Sequence, residues 1–280
     1  MTNRRFMVVC VAVALVFSSG IGVVQAQLTF TVFGDTRPGP NYERLHVTRT
    51  ICERIVQHDP LFVIGTGDYI EGSTDQNVVR QQFSKFFEAL TPLKVHGDIP
   101  VAFTTGNHDI RGSRKNVAIF EEYFGATYYS FDRNNAHFII LDSEIPGQEG
   151  RIKGEQWEWL VDDLEGASEA RYVFVALHRP LFPVDGHIGS SMDVDIPLRD
   201  RLHQLLVKHD VTAVFCGHEH LYNYQQRHGV DYYITGGGGA PLYAKPDEGG
   251  VYHYIVVETG ENGYTARVIT RDGQVHDVRP

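Results

Sequence analysis

Five short apolar stretches of this chain each run out into residues that can hold a metal ion. Residues 28–33 end on Gly34-Asp35, and 61–66 are followed by Gly67-Asp68. Residues 101–105 lead into Gly106-Asn107-His108-Asp109, 171–177 into His178, and 211–216 into Gly217-His218-Glu219-His220. Runs of this length, rich in Val, Ile, Phe and Thr and stopped by glycine, read as buried strands. A sixth run, 137–142, reads the same way. Helical periodicity lies between several of them, at 43–58, 77–90, 116–124, 155–164 and 197–209. In the last of these Leu198, Leu202, Leu205 and Leu206 share one face. Beyond His220 the pattern alternates and is rich in tyrosine, so 222–226, 231–235, 252–258 and 264–270 read as antiparallel strands. The order predicts an α/β chain of βαβ units with a β-rich end, in one domain. Such units line up the C-terminal ends of their strands along one edge, where open α/β sheets bind ligands.

The N-terminus reads differently. Arg4 and Arg5 precede an unbroken apolar run at 6–17, and Val24-Gln25-Ala26 places small residues at a cleavage site. Residues 1–26 are therefore expected to be a secretory signal peptide, leaving a domain at 27–280 that is secreted or periplasmic. The apolar run is shorter than the ~20 residues that a membrane span needs, so membrane attachment is expected only if the segment stays uncleaved. Without Arg4 and Arg5 the chain carries 23 basic against 35 acidic residues, a net charge of −12. That balance argues against nucleic acid as a partner, because phosphate backbones want basic surface. It leaves room for a phosphorylated small molecule, since a bound metal reverses the local field. Cys52 and Cys216 could form one bridge, but two cysteines are no disulfide framework.

Each strand ending is ordinary alone; together they make a donor set. Two carboxylates, an amide oxygen and three imidazoles suit borderline divalent metals such as Zn, Mn or Fe. A carboxylate shared by two ions holds them ~3.5–4 Å apart, close enough to bind one phosphoryl group and to generate a nucleophile at neutral pH.

The series Gly34-Asp35, Gly67-Asp68, Gly106-Asn107-His108-Asp109, Val175-Ala176-Leu177-His178 and Gly217-His218-Glu219-His220 resembles the calcineurin-like metallophosphoesterases, which include the purple acid phosphatases. The resemblance implies two mixed β-sheets packed as a sandwich and flanked by helices, rather than one parallel core with a β-rich end. It implies two metal ions (Fe, Mn or Zn), the first held by Asp35, Asp68 and His220 and the second by Asn107, His178 and His218, with Asp68 bridging. It makes His108 the proton donor to the leaving oxygen, with Asp109 orienting it, and a metal-bridging hydroxide the in-line attacker on phosphorus. The implied activity is hydrolysis of phosphomonoesters or phosphodiesters. The alternative is a metal-binding protein that recognises a phosphorylated ligand with little or no hydrolysis.

Arg37 departs from the pattern. Many family members have Asp-x-His where this chain has Asp35-Thr36-Arg37, and a guanidinium has no lone pair to give. The tyrosine ligand of purple acid phosphatases, three residues after the second Asp, is here Glu71, while Tyr69 follows Asp68 directly. Three readings stay open. Water fills the gap and Arg37 turns to the substrate phosphate, or Glu71 completes the shell, or the first site is weak. The first is the expectation, since the other positions are filled and a planar guanidinium suits two phosphate oxygens. Residues 236–243, glycine-rich, are assigned to the rim of the site. The loop 181–191 is a candidate substrate wall, with Arg179 and His187 able to reach a ligand. His46, His58, His203, His209, His228 and His276 are expected to be solvated, and Cys216 to be a small buried hydrophobe.

Overall fold

The computed structural model describes residues 28–280; the expected signal peptide lies outside the described residues. Side-chain alternation along the strands decides the architecture. In β1 (Thr29–Phe33), Phe30 and Val32 point into one apolar cluster and Phe33 into another. β2 (Phe62–Gly65) divides in the same way, with Phe62 and Ile64 on one side and Val63 on the other. A strand that is apolar on both faces needs two cores, and here a second sheet covers one face and helices the other.

The first sheet has the order β12-β11-β10-β1-β2-β3, where β3 is Val101–Phe103, β10 His253–Gly260, β11 Gly263–Thr270 and β12 Val275–Arg279. The second has the order β4-β5-β6-β7-β9-β8, built from β4 (Tyr129–Arg133), β5 (Ala136–Ile140), β6 (Tyr172–Ala176), β7 (Ala213–Cys216), β8 (Tyr222–Arg227) and β9 (Val230–Thr235). Both are mixed. β1, β2 and β3 run parallel, as do β5, β6, β7 and β9, while β10 joins β1 antiparallel. The single parallel core of the sequence pattern is therefore two half-cores, and the tyrosine-rich strands are shared between the sheets.

The inner faces meet in one cluster. Phe30 stands edge-on to Phe138 and Phe174, each at 5.1 Å, and stacks on Phe62 at 5.4 Å. Such aromatic pairs contribute ~0.5–1.5 kcal/mol beyond the area they bury. Helices cover the outer faces. On the first sheet lie α1 (Leu45–Ile55), α2 (Gln76–Ala89), the short α3 (Thr91–Val95) and α5 (Arg114–Phe124). α1 buries Val47, Ile51, Cys52 and Ile55 there. On the second lie α6 (Glu155–Gly166) and α7 (Ile196–Lys208), which bury Leu160, Leu164, Leu202 and Leu206. Their starts follow local chemistry: the carboxylate of Asp75 caps α2 and that of Asp195 caps α7, each accepting a first-turn amide.

Cys52 and Cys216 lie in the clusters under opposite helical layers, and both are free and buried. His203 departs from the sequence reading. It is buried, with Nδ1 2.7 Å from Tyr232 Oη and Nε2 2.9 Å from His228 Nδ1.

Candidate metal centre

The site forms where the two sheets' parallel strands end. After β1 and β2 the chains stay coupled: the Asp35 amide donates to Gly67 O (2.9 Å) and the Thr36 amide to Asp68 O (3.0 Å). Asp35 and Asp68 both have φ 57°, and His218 has φ 72°. Three candidate ligands thus sit in the left-handed region, which costs a non-glycine residue ~1–3 kcal/mol and persists only where the surroundings enforce it. The enforcement is visible. Asp35 Oδ2 accepts from the His218 amide (2.9 Å), and Asp68 Oδ1 from the His108 amide (2.8 Å). The first bond crosses between the sheets. Gly217 and Gly106 make this approach possible: a Cβ on Gly217 would overlap Asp35 Oδ2, and one on Gly106 would overlap the Asp68 amide.

Four donors converge on one side of Asp68. His178 Nδ1 donates to the Thr66 carbonyl (2.8 Å), so its Nε2 carries a lone pair. That lone pair faces Asn107 Oδ1 at 3.0 Å and Asp68 Oδ1 at 3.5 Å. His218 Nδ1 completes the group, 3.1 Å from His178 Nε2. An imidazole lone pair, an amide oxygen and a carboxylate oxygen aimed at one another repel unless a cation lies between them. Burial, together with His178 and His187 nearby, holds the pKa of His218 well below its ordinary value. A neutral imidazole is the form that binds metal.

On the other side of Asp68 a second group assembles. His220 Nδ1 donates to the Pro241 carbonyl (2.6 Å), which leaves Nε2 unprotonated, 3.5 Å from Asp35 Oδ1. Asp35 Oδ1 is fully buried and makes no hydrogen bond. Ligand atoms of Asp35, Asp68 and His178 all lie within 4.8 Å of one another. Asp68 belongs to both groups. Burial opposes its ionisation, but His178, His108 and Arg37 outweigh that and hold its pKa below the ordinary carboxylate value. The residues therefore fit a metal pair, with Asp35, Asp68 and His220 able to hold one ion and Asp68, Asn107, His178 and His218 the other.

Arg37 reaches the first group. Its Nη2 is 3.1 Å from His220 Nε2, its Nε 3.5 Å from Asp68 Oδ2, and its Nη1 3.5 Å from Glu71 Oε2. Glu71 Oε1 meanwhile accepts from the Gly39 amide (2.8 Å). Its carboxylate thus faces Arg37 and the turn after it, an anchor rather than a member of the donor group.

His108 and Asp109 lie in α4 (Asn107–Ile110), a single helical turn that follows β3. His108 Nδ1 is held by the Glu71 carbonyl at 2.9 Å, which turns Nε2 toward the site, 4.0 Å from Asp68 Oδ2. The Asp109 carboxylate is spent elsewhere. Fully buried, it accepts from the amides of Asp68, Gly106 and Tyr69 (each 2.9 Å) and Ile70 (3.3 Å). It clamps the Asp68 turn, and the His108 ring owes its orientation to Glu71.

The flanking loops divide between rim and brace. Residues 236–243 reach the site as expected, and the Tyr243 ring stacks on His220 at 4.1 Å. The loop 181–191 brings the His187 ring to 4.0 Å from that of His218. Arg179, the other candidate on this wall, is tied to both carboxylate oxygens of Glu144 (2.7 and 2.8 Å). Glu219, between the two site histidines, was missed by sequence reasoning. It is buried and accepts the amides of Val184 and Asp185 (2.8 Å each), fixing the wall to the centre.

Comparison with known proteins shows the family and the fold. The family profile of the calcineurin-like phosphoesterases matches residues 28–222. The chain is similar to tartrate-resistant acid phosphatase type 5 of Rattus norvegicus, 27% identical over 246 residues, covering 75% of this chain and 72% of the relative. It is also similar to serine/threonine-protein phosphatase CPPED1 of Bos taurus, 27% identical over 169 residues, or 58% of this chain. Among solved structures, purple acid phosphatase PPD1 from yellow lupin (Lupinus luteus) seeds superposes with a TM-score of 0.72 at 19% identity, over 91% of this chain. The chain spans about half the length of both the CPPED1 and the lupin protein, 53% in each case.

Proposed function

The chain belongs to the calcineurin-like phosphoesterase family, and from that premise we propose that it is a metal-dependent hydrolase of phosphomonoesters or phosphodiesters. The observation that carries the reading is the convergence of His178 Nε2, Asn107 Oδ1 and Asp68 Oδ1, three electron-rich atoms facing one point, beside His108 Nε2. A building block that only packed would not aim lone pairs at one another in a buried place.

We assign Asp35, Asp68 and His220 to one metal ion and Asp68, Asn107, His178 and His218 to a second, drawn from Fe, Mn or Zn. When bound, such ions supply Lewis acidity toward phosphoryl oxygens and a nucleophile at neutral pH. The chain supplies the rest. The Thr66 and Pro241 carbonyls fix the tautomers of His178 and His220, which keeps their Nε2 atoms unprotonated. Arg37 offers a planar pair of N–H donors to the phosphate oxygens. His108, turned by Glu71, faces the site with Nε2 and gives the leaving oxygen its proton. His187 and Tyr243, at the mouth, exclude water and frame the ester group.

The test is turnover of an aryl phosphate. Protein stripped with a chelator should hydrolyse neither an aryl phosphomonoester nor a bis-aryl diester, and added Mn, Zn or Fe should restore one or both. Turnover untouched by chelation would sink the metal-dependent reading. A second reading, a protein that binds a phosphorylated ligand without cleaving it, draws on the place of Arg37 inside the donor group. It would show phosphate-ester binding with no product after a long incubation.

We also assign residues 1–26 as a signal peptide and the domain as secreted or periplasmic, on the Arg4-Arg5, 6–17 and Val24-Gln25-Ala26 pattern. Among the described residues no helix is long and apolar enough to cross a membrane. The protein expressed in a secreting host should begin at Gln27 by N-terminal sequencing; a retained Met1 would refute cleavage.

A further inference from the structure

His220 Nε2 has one lone pair, and Arg37 is using it. Because Nδ1 donates to the Pro241 carbonyl (2.6 Å), Nε2 can only accept, and Arg37 Nη2 donates to it at 3.1 Å. A metal ion at the same place needs that same lone pair. The guanidinium also lies against Asp68, Nε to Oδ2 at 3.5 Å. Asp35 Oδ1, the remaining member of this group, is buried without a hydrogen bond. The two buried carboxylates require a positive charge here, and in the chain as it stands Arg37 provides it. A divalent ion and a guanidinium cannot share this place. They would compete for one lone pair, and at such separations in a buried site they repel strongly.

The guanidinium is also poorly fastened. Its contacts to His220, His108, Glu71 and Asp68 run from 3.1 to 3.5 Å, against ~2.7–2.9 Å for a strong charge-assisted bond. Glu71 supplies a pivot. Its carboxylate, partly exposed, holds the Gly39 amide with Oε1 and meets Arg37 Nη1 with Oε2. The His108 ring beside the guanidinium is 28% exposed, so this side of the site is open to solvent.

We propose that Arg37 is a built-in cation that occupies the seat of the first metal ion, and that ion entry drives it onto the substrate phosphate. The proposal rests on the phosphoesterase reading above and adds a coupling to it. The second seat, made by Asp68, Asn107, His178 and His218, loads freely. The first loads weakly, because each ion must displace Arg37. An oxyanion at the mouth gives the displaced guanidinium a partner, so it should strengthen ion binding at the first seat, and the ion should strengthen oxyanion binding equally.

The experiment is a calorimetric titration of the stripped protein with Mn, with metal per chain measured by elemental analysis. Wild type should bind one ion tightly and a second about tenfold or more weaker, in the range produced by changing residues that touch metal ligands. In Arg37→Met, which keeps the stem and drops the charge, the weak step should tighten about tenfold or more. Inorganic phosphate should tighten the weak step in wild type by a larger factor than in Arg37→Met. Arg37→Ala serves as a second variant, with circular dichroism reporting the fold of both. Two equal steps in wild type, a weak or missing second step that persists in both variants, or equal phosphate effects in wild type and variant would each overturn the proposal. Absence of any tight step in wild type and variants alike would instead overturn the metal-centre reading on which it rests.

Discussion

His108→Ala should lower turnover by about 10²–10⁴-fold, the span of a lost general acid, while the metal content per chain stays that of wild type. The His108 ring is outside both donor groups. Its Nδ1 is occupied by the Glu71 carbonyl at 2.9 Å, and its Nε2 stands 4.0 Å from Asp68 Oδ2, at the edge of the centre rather than in it. What the centre needs from residue 108 is its amide, which donates to Asp68 Oδ1 at 2.8 Å, and alanine keeps that amide. The side chain and the backbone of one residue thus do separate jobs. Steady-state kinetics with elemental analysis separates them. A substrate whose leaving group needs no proton, such as a dinitrophenyl ester, should lose much less rate than an alkyl ester. Equal losses on both substrates, or loss of metal along with rate, would show that His108 is not the proton donor.

Asp109→Ala should destabilise the protein by about 3–5 kcal/mol, at the high end for a single substitution, because it leaves several buried amides without an acceptor. Four amides, those of Asp68, Tyr69, Ile70 and Gly106, lose their acceptor at once. Each buried unsatisfied group costs ~1–3 kcal/mol, though four on one turn relax together and do not add fully. Because three of the four belong to the Asp68 turn, those of Asp68, Tyr69 and Ile70, metal affinity should fall too. Urea unfolding of the metal-free variant measures the first effect and calorimetry the second. A residue that merely oriented His108 would leave unfolding unchanged, and that result would return Asp109 to the catalytic role the family resemblance implied.

The six candidate ligands were legible because each stands within a few residues of the end of an apolar run, and a strand's end restricts where the residues after it can lie. Asp35, Asp68 and His178 meet within 4.8 Å although 143 positions separate the first from the last. Division into two sheets was less legible. Strands such as 28–33 announce burial on both faces, but periodicity does not say which other strand supplies each face. The sandwich came from the resemblance, and the pairing of β10 with β1 is what brings the tyrosine-rich end into the first sheet. Roles that depend on backbone partners left no trace in the side-chain pattern. Asp109 reads as an aid to its neighbour and His203 as a surface residue, and Glu219 draws no reading of its own, because amides at 68, 106, 184 and 185 and the Tyr232 hydroxyl come to them through the fold. Arg37 was legible as an anomaly, and its seat beside His220 required coordinates.

The left-handed backbone at Asp35, Asp68 and His218 has a consequence for how this protein can change. Glycine would relieve the conformational cost at each of the three places. The backbone alone would therefore favour glycine there, and every such step would remove a candidate metal donor. Fitness for persistence and fitness for chemistry pull these codons in opposite directions. A survey of variants selected only for expression should find its gains near these turns and its losses of activity in the same clones, so thermal stability is a misleading guide when engineering this edge of the sandwich.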